Sequence, residues 1–484
     1  MKTSFLLSAK NLHLIFFVMI FPVLSNAQWT APVNISPKAI SAGLNEDMGP
    51  CLAVSNDTLH VVWTDHRTHG WAIYYTHSID TGKTWSKAIH ITDTTGKASM
   101  PVIAVQGKNI HVVWMDSLKG IRASYYIHSL DGGITWGQKI CLDTNTKFWP
   151  GVAVSGNTVL VSLDKSVSST NTEVFLMRSL DNGITWSNEQ QISNANGRSE
   201  DQSMTILGND VHLSWNDNRN GGVMQIYYRH SSDLGVTWDP EFQLIHGPSG
   251  SNYSTMVCLD KNHVDVPAGD SRNGAFQVWI KQSADKGVTW ATETPVSSGG
   301  NIGQAYPYMV RDSSNLYLVY LQFNSPTSAW YTHSGDGGVT WDSAMSLGNG
   351  GQPFIAYTGC VLHIIWPSAN HTINYIRNPT GNCTNNATGI NEQKNNSDPI
   401  SVYPNPSNGI TNLQIGGFEN STIKKVDVFN IFGECIHQRV STPSEQIGTF
   451  SNLQIDLSSQ PNGVYFIRVK TEKQSFSQKL VISR

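Results

Sequence analysis

The sequence predicts an all-β protein of repeated four-stranded sheets followed by a small β-sandwich. Three observations predict it. A turn with a fixed set of residues recurs six times at near-constant spacing, an apolar strand recurs seven times between those turns, and the composition changes after Arg377.

The N-terminal segment comes first in the chain. Lys2 and Lys10 flank the start of an apolar run from Leu14 to Leu24, and Ser25, Asn26 and Ala27 place small residues where a signal peptidase cuts. Residues 1–27 are therefore expected to be a secretory signal peptide. The run falls short of the roughly 20 apolar residues a spanning helix needs, so no transmembrane segment is expected in the mature chain.

The recurring turn reads "HSIDTGKTW" at His77–Trp85, "HSLDGGITW" at His128–Trp136, "RSLDNGITW" at Arg178–Trp186, "HSSDLGVTW" at His230–Trp238, "QSADKGVTW" at Gln282–Trp290 and "HSGDGGVTW" at His333–Trp341. Its aspartates are Asp80, Asp131, Asp181, Asp233, Asp285 and Asp336, giving gaps of 51, 50, 52, 52 and 51 residues. A period that regular marks one supersecondary unit per repeat. The aspartate is expected to accept amide hydrogen bonds within its own hairpin. Glycine allows the positive φ that a β-branched residue resists. Threonine is expected to begin the next strand. The tryptophans Trp85, Trp136, Trp186, Trp238, Trp290 and Trp341 are expected to wedge between neighbouring sheets, each burying about 150–250 Å². On that basis Trp136→Ala is expected to cost about 3–5 kcal/mol.

Between turns, each period holds a strand series such as "VIAVQGKNIHVVW", "SYYIHS" and "QKICLD", the pattern of a four-stranded meander. Its second strand occurs seven times, at Leu59–Trp63, Ile110–Trp114, Val159–Leu163, Val211–Trp215, His263–Pro267, Leu316–Tyr320 and Leu362–Trp366. The seventh unit stops before its fourth strand, and the segment Trp29–Ser36 has the look of that missing strand. Pairing the two would close a ring of seven units and hide the sheet edges.

The turn pattern Ser-x-Asp-x-Gly-x-Thr-Trp resembles the Asp-box, or BNR repeat, of sialidase-like β-propellers. The resemblance implies a β-propeller over residues 28–378, here with seven blades and an N-terminal strand closing the last, where familiar sialidases have six. It also implies a protein that recognises or hydrolyses extracellular glycans. A non-catalytic surface binding or adhesion module without glycosidase activity is the alternative.

After a linker over 379–399, rich in asparagine and glycine, "VYPNPSNG", "KVDVFNIFGE", "IDLSSQPNGVYFIRV" and "QKLVISR" separate alternating strands by turn-forming clusters. These phrases resemble the C-terminal sorting domain of the type IX secretion system of Bacteroidetes, over 400–484. That resemblance implies the secretion machinery as a partner, and secretion or display at the outer-membrane surface of a Gram-negative cell.

Candidate site residues lie in the loops at the end of the sheets opposite the boxes. Asp65 and Arg67 in "WTDHR", Asp217 and Arg219 in "WNDNR", and Asp270 and Arg272 in "AGDSR" recur at equivalent positions, with Asp116 and Asp164 at comparable places lacking the arginine. Arg67, Arg219 and Arg272 either grip an anionic sugar or pair with the aspartate two residues away. Phe148, Trp149, Tyr253, Tyr306 and Tyr308 offer rings for sugar stacking or for rim packing. The Phe/Tyr-Arg-Ile-Pro motif that opens sialidase propellers is absent, and the corresponding region reads "NEDMGPCLAV". No sialidase nucleophile or acid therefore transfers to a residue here. Glu46, Asp47, Glu200 and Asp201 are the carboxylates available to another glycosidase.

The remaining composition excludes more than it assigns. A net charge of -4 with 14% charged residues gives no electrostatic footprint for nucleic acid. The six cysteines, Cys51, Cys141, Cys258, Cys360, Cys383 and Cys435, lack metal-type spacing and read as small buried hydrophobes with no pairing assigned. His77, His128, His230 and His333 precede the boxes one per unit, dispersed rather than gathered, so no metal and no cofactor is expected.

Overall fold

The computed structural model describes residues 29–36, 51–65, 71–93, 96–118, 120–147, 149–219, 222–245, 247, 251–252, 258–260, 262–297, 302–359, 361–379, 400–405, 407–415, 423–430, 435–440, 453–471 and 475–483. The signal peptide, most of the linker, Glu46, Asp47, Arg67, Phe148 and Tyr253 lie outside them. The described residues are all strand, turn and loop, with no helix long and apolar enough to cross a membrane.

The chain divides into two compact units, Met1–Cys383 and Thr384–Arg484. In the first unit, sheets follow one another as antiparallel meanders. The first sheet runs Cys51–Ser55, Thr58–Asp65, Ala72–Ser78 and Ile89–His90, and the second runs Ser99–Gln106, Asn109–Leu118, Ile121–Ser129 and Ile140–Asp143. Five more such sheets follow, for seven in all among the described residues. In the seventh, Phe354–Tyr357, Val361–Pro367 and Ile373–Pro379 are joined by Val33–Asn34, whose residues pair with Tyr375 and Asn374. Thr30 N and Ile35 N extend that pairing onto Arg377 O at 3.0 Å and Ile373 O at 2.9 Å.

Each second strand is buried because both its faces meet neighbouring sheets, which explains its near-continuous apolar run. Trp63, Trp114, Trp215 and Trp366 on these strands are fully buried. Trp63, Trp114 and Trp215 stack on Tyr74, Tyr125 and Tyr227 of the third strands at 5.8, 5.8 and 6.2 Å.

The box closes on itself. In the second sheet Asp131 Oδ1 accepts from Ile134 N at 3.0 Å and Thr135 N at 2.9 Å, while Thr135 Oγ1 donates to Oδ2 at 2.5 Å. Ser129 Oγ donates to Asp131 Oδ1 at 2.8 Å and accepts from Gly133 N at 2.9 Å. These bonds hold the Asp131 carboxyl down at about 2, the Thr135 hydroxyl contributing most. Contrary to the expectation from its branching, the threonine does not begin the next strand. Its hydroxyl is a fourth member of the turn, and the strand starts later, at Ile140.

The box tryptophans reach the preceding sheet edge-on. Trp136 meets Tyr75, Trp186 meets Tyr126, Trp290 meets Tyr228 and Trp85 meets Tyr375, with centroids 4.9–5.1 Å apart. Trp238 packs in the cluster of Leu160 and Leu176 of the third sheet, and Trp341 in that of Val278 and Ile280 of the fifth. All six are only half-buried, and the fully buried tryptophans are those of the second strands. A half-buried ring forfeits less on truncation. Trp136→Ala is accordingly expected to cost about 2–3 kcal/mol, below the fully buried range, and Trp114→Ala more. Urea unfolding of the two variants side by side checks the order.

The second unit is a pair of antiparallel sheets. One joins Ile400–Tyr403, Ile410–Ile415 and Leu453–Asp456, the other Cys435–Val440, Ile423–Asn430, Gly463–Thr471 and Ser475–Ile482. Leu413, Val426, Val428, Ile455, Ile467 and Leu480 from both form one core. Among the described cysteines, Cys51 is buried as expected, but Cys141 and Cys435 are exposed, because each sits on an outer strand.

Candidate functional site at the channel mouth

The first strands of the sheets converge on a cavity of about 540 Å³. Residues 51–54, 100–105, 149–154, 201–206, 306–311 and 352–357 contribute to its wall, so among the described residues six of the seven sheets line it. Its mouth on the side of the intersheet loops is formed where these strands begin, by Met100, Trp149, Asp201, Gln202, Tyr306 and Gln352.

The backbone at this mouth is strained in a repeated way. Met100, Asp201 and Tyr306 have φ of 57°, 55° and 51°. Each sits in a register shift, between Ser99 and Val102, Glu200 and Ser203, and Ala305 and Tyr308. A non-glycine residue there costs on the order of 1–3 kcal/mol, held by the surrounding sheet. The bulge breaks the strict alternation of the strand where it enters the cavity wall.

Of the expected site residues, the structure gathers Trp149, Asp201 and Tyr306 here. Trp149 is half-buried and packs against the cluster of Ala305, Tyr306 and Leu321, from a sheet three further along the chain. Tyr306 is only 2% exposed, so its ring supports the rim rather than facing a ligand. Asp201 Oδ2 accepts from Asn216 Nδ2 at 3.1 Å. Glu200, 6% exposed, pairs with Arg198 at 3.4 Å through Oε1, while Oε2 has no hydrogen-bond partner. Burial, then the neighbouring Asp201 charge, pushes the Glu200 carboxyl above the ordinary range against the pull of Arg198 and Lys147.

Arg219 and Arg272 are held elsewhere. The Arg219 fork donates from Nε to Asp217 Oδ1 at 2.8 Å and from Nη2 to Oδ2 at 2.6 Å, and Nη1 reaches Glu241 Oε1 at 2.5 Å. Its guanidinium lies 4.2 Å over Tyr227. Arg272 repeats the arrangement on Asp270 at 3.0 and 2.8 Å, with Glu293 at 3.8 Å and the Trp279 ring at 4.2 Å. Burial opposes both charges, but the carboxylates outweigh it and raise both guanidiniums above their usual range, in Arg272 chiefly through the Asp270 hydrogen bonds. The local pair is thus the geometry these two loops adopt. Asp116 likewise serves its own sheet, accepting from Lys97 N at 2.8 Å.

Sequence reasoning missed Gln202. Its Nε2 donates to Trp149 O at 2.5 Å and Ser162 O at 3.3 Å, which ties the mouth together across two sheets. Its Oε1 is buried without a partner. The signal was present in "RSEDQS", one residue past the carboxylates singled out, but a glutamine carries no charge to draw notice.

Residues 18–266 and 218–409 match the BNR repeat-like domain family in two overlapping spans that together cover most of the chain. The chain belongs to that family. Residues 401–483 match the secretion system C-terminal sorting domain, so this BNR repeat chain carries a type IX sorting tail and is marked for export. A curated relative, a sialidase of Bacteroides fragilis (strain YCH46), is 25% identical over 232 residues, which are 42% of this chain and 41% of the relative. The match thus spans less than half the length of that relative. Solved structures of similar fold include an ulvan lyase of polysaccharide lyase family PL25 (11% identity, 71% of this chain and 95% of that one, TM-score 0.49). They also include an α-L-arabinofuranosidase of Fusarium graminearum (14%, 72% and 97%, TM-score 0.43) and the NanB sialidase of Streptococcus pneumoniae (12%, 68% and 68%, TM-score 0.39).

Proposed function

We propose that the seven sheets are the blades of a closed seven-bladed propeller over residues 28–378, and that it binds an uncharged extracellular glycan at the channel mouth. The observation that carries the reading is the engagement of Arg219 and Arg272. Both described members of the recurring Asp-x-Arg loops spend their forks on carboxylates of their own sheets, which leaves those loops without a clamp for an anionic sugar. Trp149 supplies a ring at the rim, and Asp201 and Gln202 supply acceptors for sugar hydroxyls. The family membership and the likeness to a bacterial sialidase support a glycan as the ligand. In this reading residues 1–27 direct passage across the inner membrane, 379–399 are a linker, and 400–484 take the propeller to the Gram-negative cell surface or beyond.

The test is a glycan array on the mature chain, run beside a panel of fluorogenic glycosides. Binding of neutral glycans is expected, weakened about tenfold or more by Trp149→Ala, with no turnover. Binding that requires a carboxylate or sulfate on the sugar, or no binding at all, would remove the reading.

One observation favours hydrolysis as a second reading. Glu200 combines an unpartnered oxygen with a raised pKa beside Asp201, the pairing a protonated acid and an ionised partner need. Under it, turnover falls as pH rises past the Glu200 pKa, because an acid must hold its proton. Glu200→Gln then abolishes turnover but spares binding.

A further inference from the structure

Below its polar mouth the channel changes character. Along Ser99–Gln106 the half-buried residues alternate with buried ones, which turns Val102 and Ala104 to the cavity while Ile103 enters the sheet packing. Ala53, Val310 and the close pair Tyr308 and Phe354, with centroids 3.9 Å apart, continue the same wall. The Tyr308 hydroxyl accepts from Gln352 Nε2 at 3.2 Å near the mouth, and burial keeps its proton on. Arg311 also borders the cavity, but its fork is committed to Asp265 at 2.5 and 2.8 Å. Ser203 and Thr205 of the fourth sheet put two hydroxyls on the wall, and the rest of the space is apolar along its depth and polar at the mouth. Its most pointed polar group is Gln202 Oε1, an acceptor on a side chain only 9% exposed, whose amide nitrogen is already fixed by two backbone carbonyls.

A free oligosaccharide does not suit such a space, because burying its hydroxyls against Val102, Ala104 and Phe354 leaves them unpaired. A molecule with an apolar body and a hydroxyl-bearing end suits it on both counts. The body replaces water along the wall, and an O–H satisfies Gln202 Oε1 at the mouth. We propose that the channel takes the apolar aglycone of a glycoconjugate whose sugar sits at the mouth beside Trp149. The inference rests on the glycan reading above and narrows its ligand to sugars carrying an alkyl or aryl group.

The experiment uses the mature full-length chain and the uncharged fluorescent probe N-phenyl-1-naphthylamine, competed by matched octyl and methyl glycosides of the sugars in the array. Saturable probe binding is expected, with the octyl compounds displacing it at concentrations about a hundredfold or more below the methyl ones. Ala104→Trp fills the channel and is expected to weaken probe binding at least about tenfold, with sugar binding by the methyl glycosides unchanged. Val102→Phe serves the same purpose should Ala104→Trp not fold, and a melt confirms which variants to compare. Probe binding indifferent to both variants overturns the inference. Equal affinity for octyl and methyl glycosides overturns it too, while leaving the glycan reading standing. Probe capture lost on channel filling, in a chain that binds no sugar of either kind, overturns both.

Discussion

Gly183→Ala is expected to destabilise the repeat unit by about 3–5 kcal/mol, the sum of a disfavoured backbone and an overfilled site. Gly183 has φ of 84°, and a Cβ there would lie 1.7 Å from the Tyr126 hydroxyl oxygen and 2.4 Å from its ring carbon. That tyrosine belongs to the preceding sheet, where it shares a hydrogen bond with His111 Nδ1 at 2.7 Å and donates to Asn182 O at 3.2 Å. It is also the ring that Trp186 meets edge-on. The substitution therefore pushes two sheets apart at the point where box, tyrosine and tryptophan interlock. Gly132 provides the control. Its φ is also 84°, but nothing lies within 4 Å of its missing Cβ, so Gly132→Ala is expected to cost only the backbone part, about 1–2 kcal/mol. Urea unfolding of both variants decides the point. Adding Tyr126→Phe, which removes the nearest atom, is expected to recover part of the loss in Gly183→Ala. Equal costs at the two glycines would show that only φ matters.

Acidification is expected to produce the other large effect. Four histidines on second strands, His60, His111, His212 and His363, are buried beside tyrosine hydroxyls at 2.8, 2.7, 2.5 and 2.8 Å. Burial lowers His60 and His111 to about 4, and His212 and His363 to about 3. The unfolded chain takes up these protons near pH 6.5, whereas the folded one resists until near pH 4 or 3. The stabilisation is thus complete above pH 6.5 and is lost as pH falls from there toward the folded values. Each site costs at most roughly 3–5 kcal/mol over that window. The box aspartates act lower down. Asp131, Asp181, Asp233, Asp285 and Asp336 sit at about 2 because their turns hydrogen-bond the charged form, so their contribution disappears between the ordinary carboxylate range and pH 2. Melting temperatures measured from pH 7.5 to 3.5 are expected to fall steeply below 6.5. In His60→Asn, His111→Asn the slope between 6.5 and 4 is expected to flatten. A slope unchanged in that variant would place the acid sensitivity elsewhere.

Much of the fold was legible because the box is a local object. Asp131 finds its partners at Ile134, Thr135 and Ser129, all within four residues, so type and spacing alone reveal the turn. The second strands were legible for a related reason, since Trp63 or Trp114 buried on both faces demands an unbroken apolar run. The serine of the box and the hydroxyl of its threonine were visible letters whose use was not read, because a hydroxyl leaves no periodic trace.

The site was another matter. The aspartate two residues before Arg219 is in plain sight in the sequence, but Glu241, which completes the clamp, arrives from just before the fourth strand of the sheet, 22 residues further on. Trp149 and Tyr306 stand more than 150 residues apart and meet only because their sheets border one cavity. Read alone, the chain determined what each unit closes within itself, namely turn, strand order and repeat count, because those bonds span a few residues. Which arginines remain available, which rings face a ligand and where an unpartnered oxygen points were decided by contacts between units. Those depend on the packing of sheets against one another, and no short stretch of chain encodes that packing.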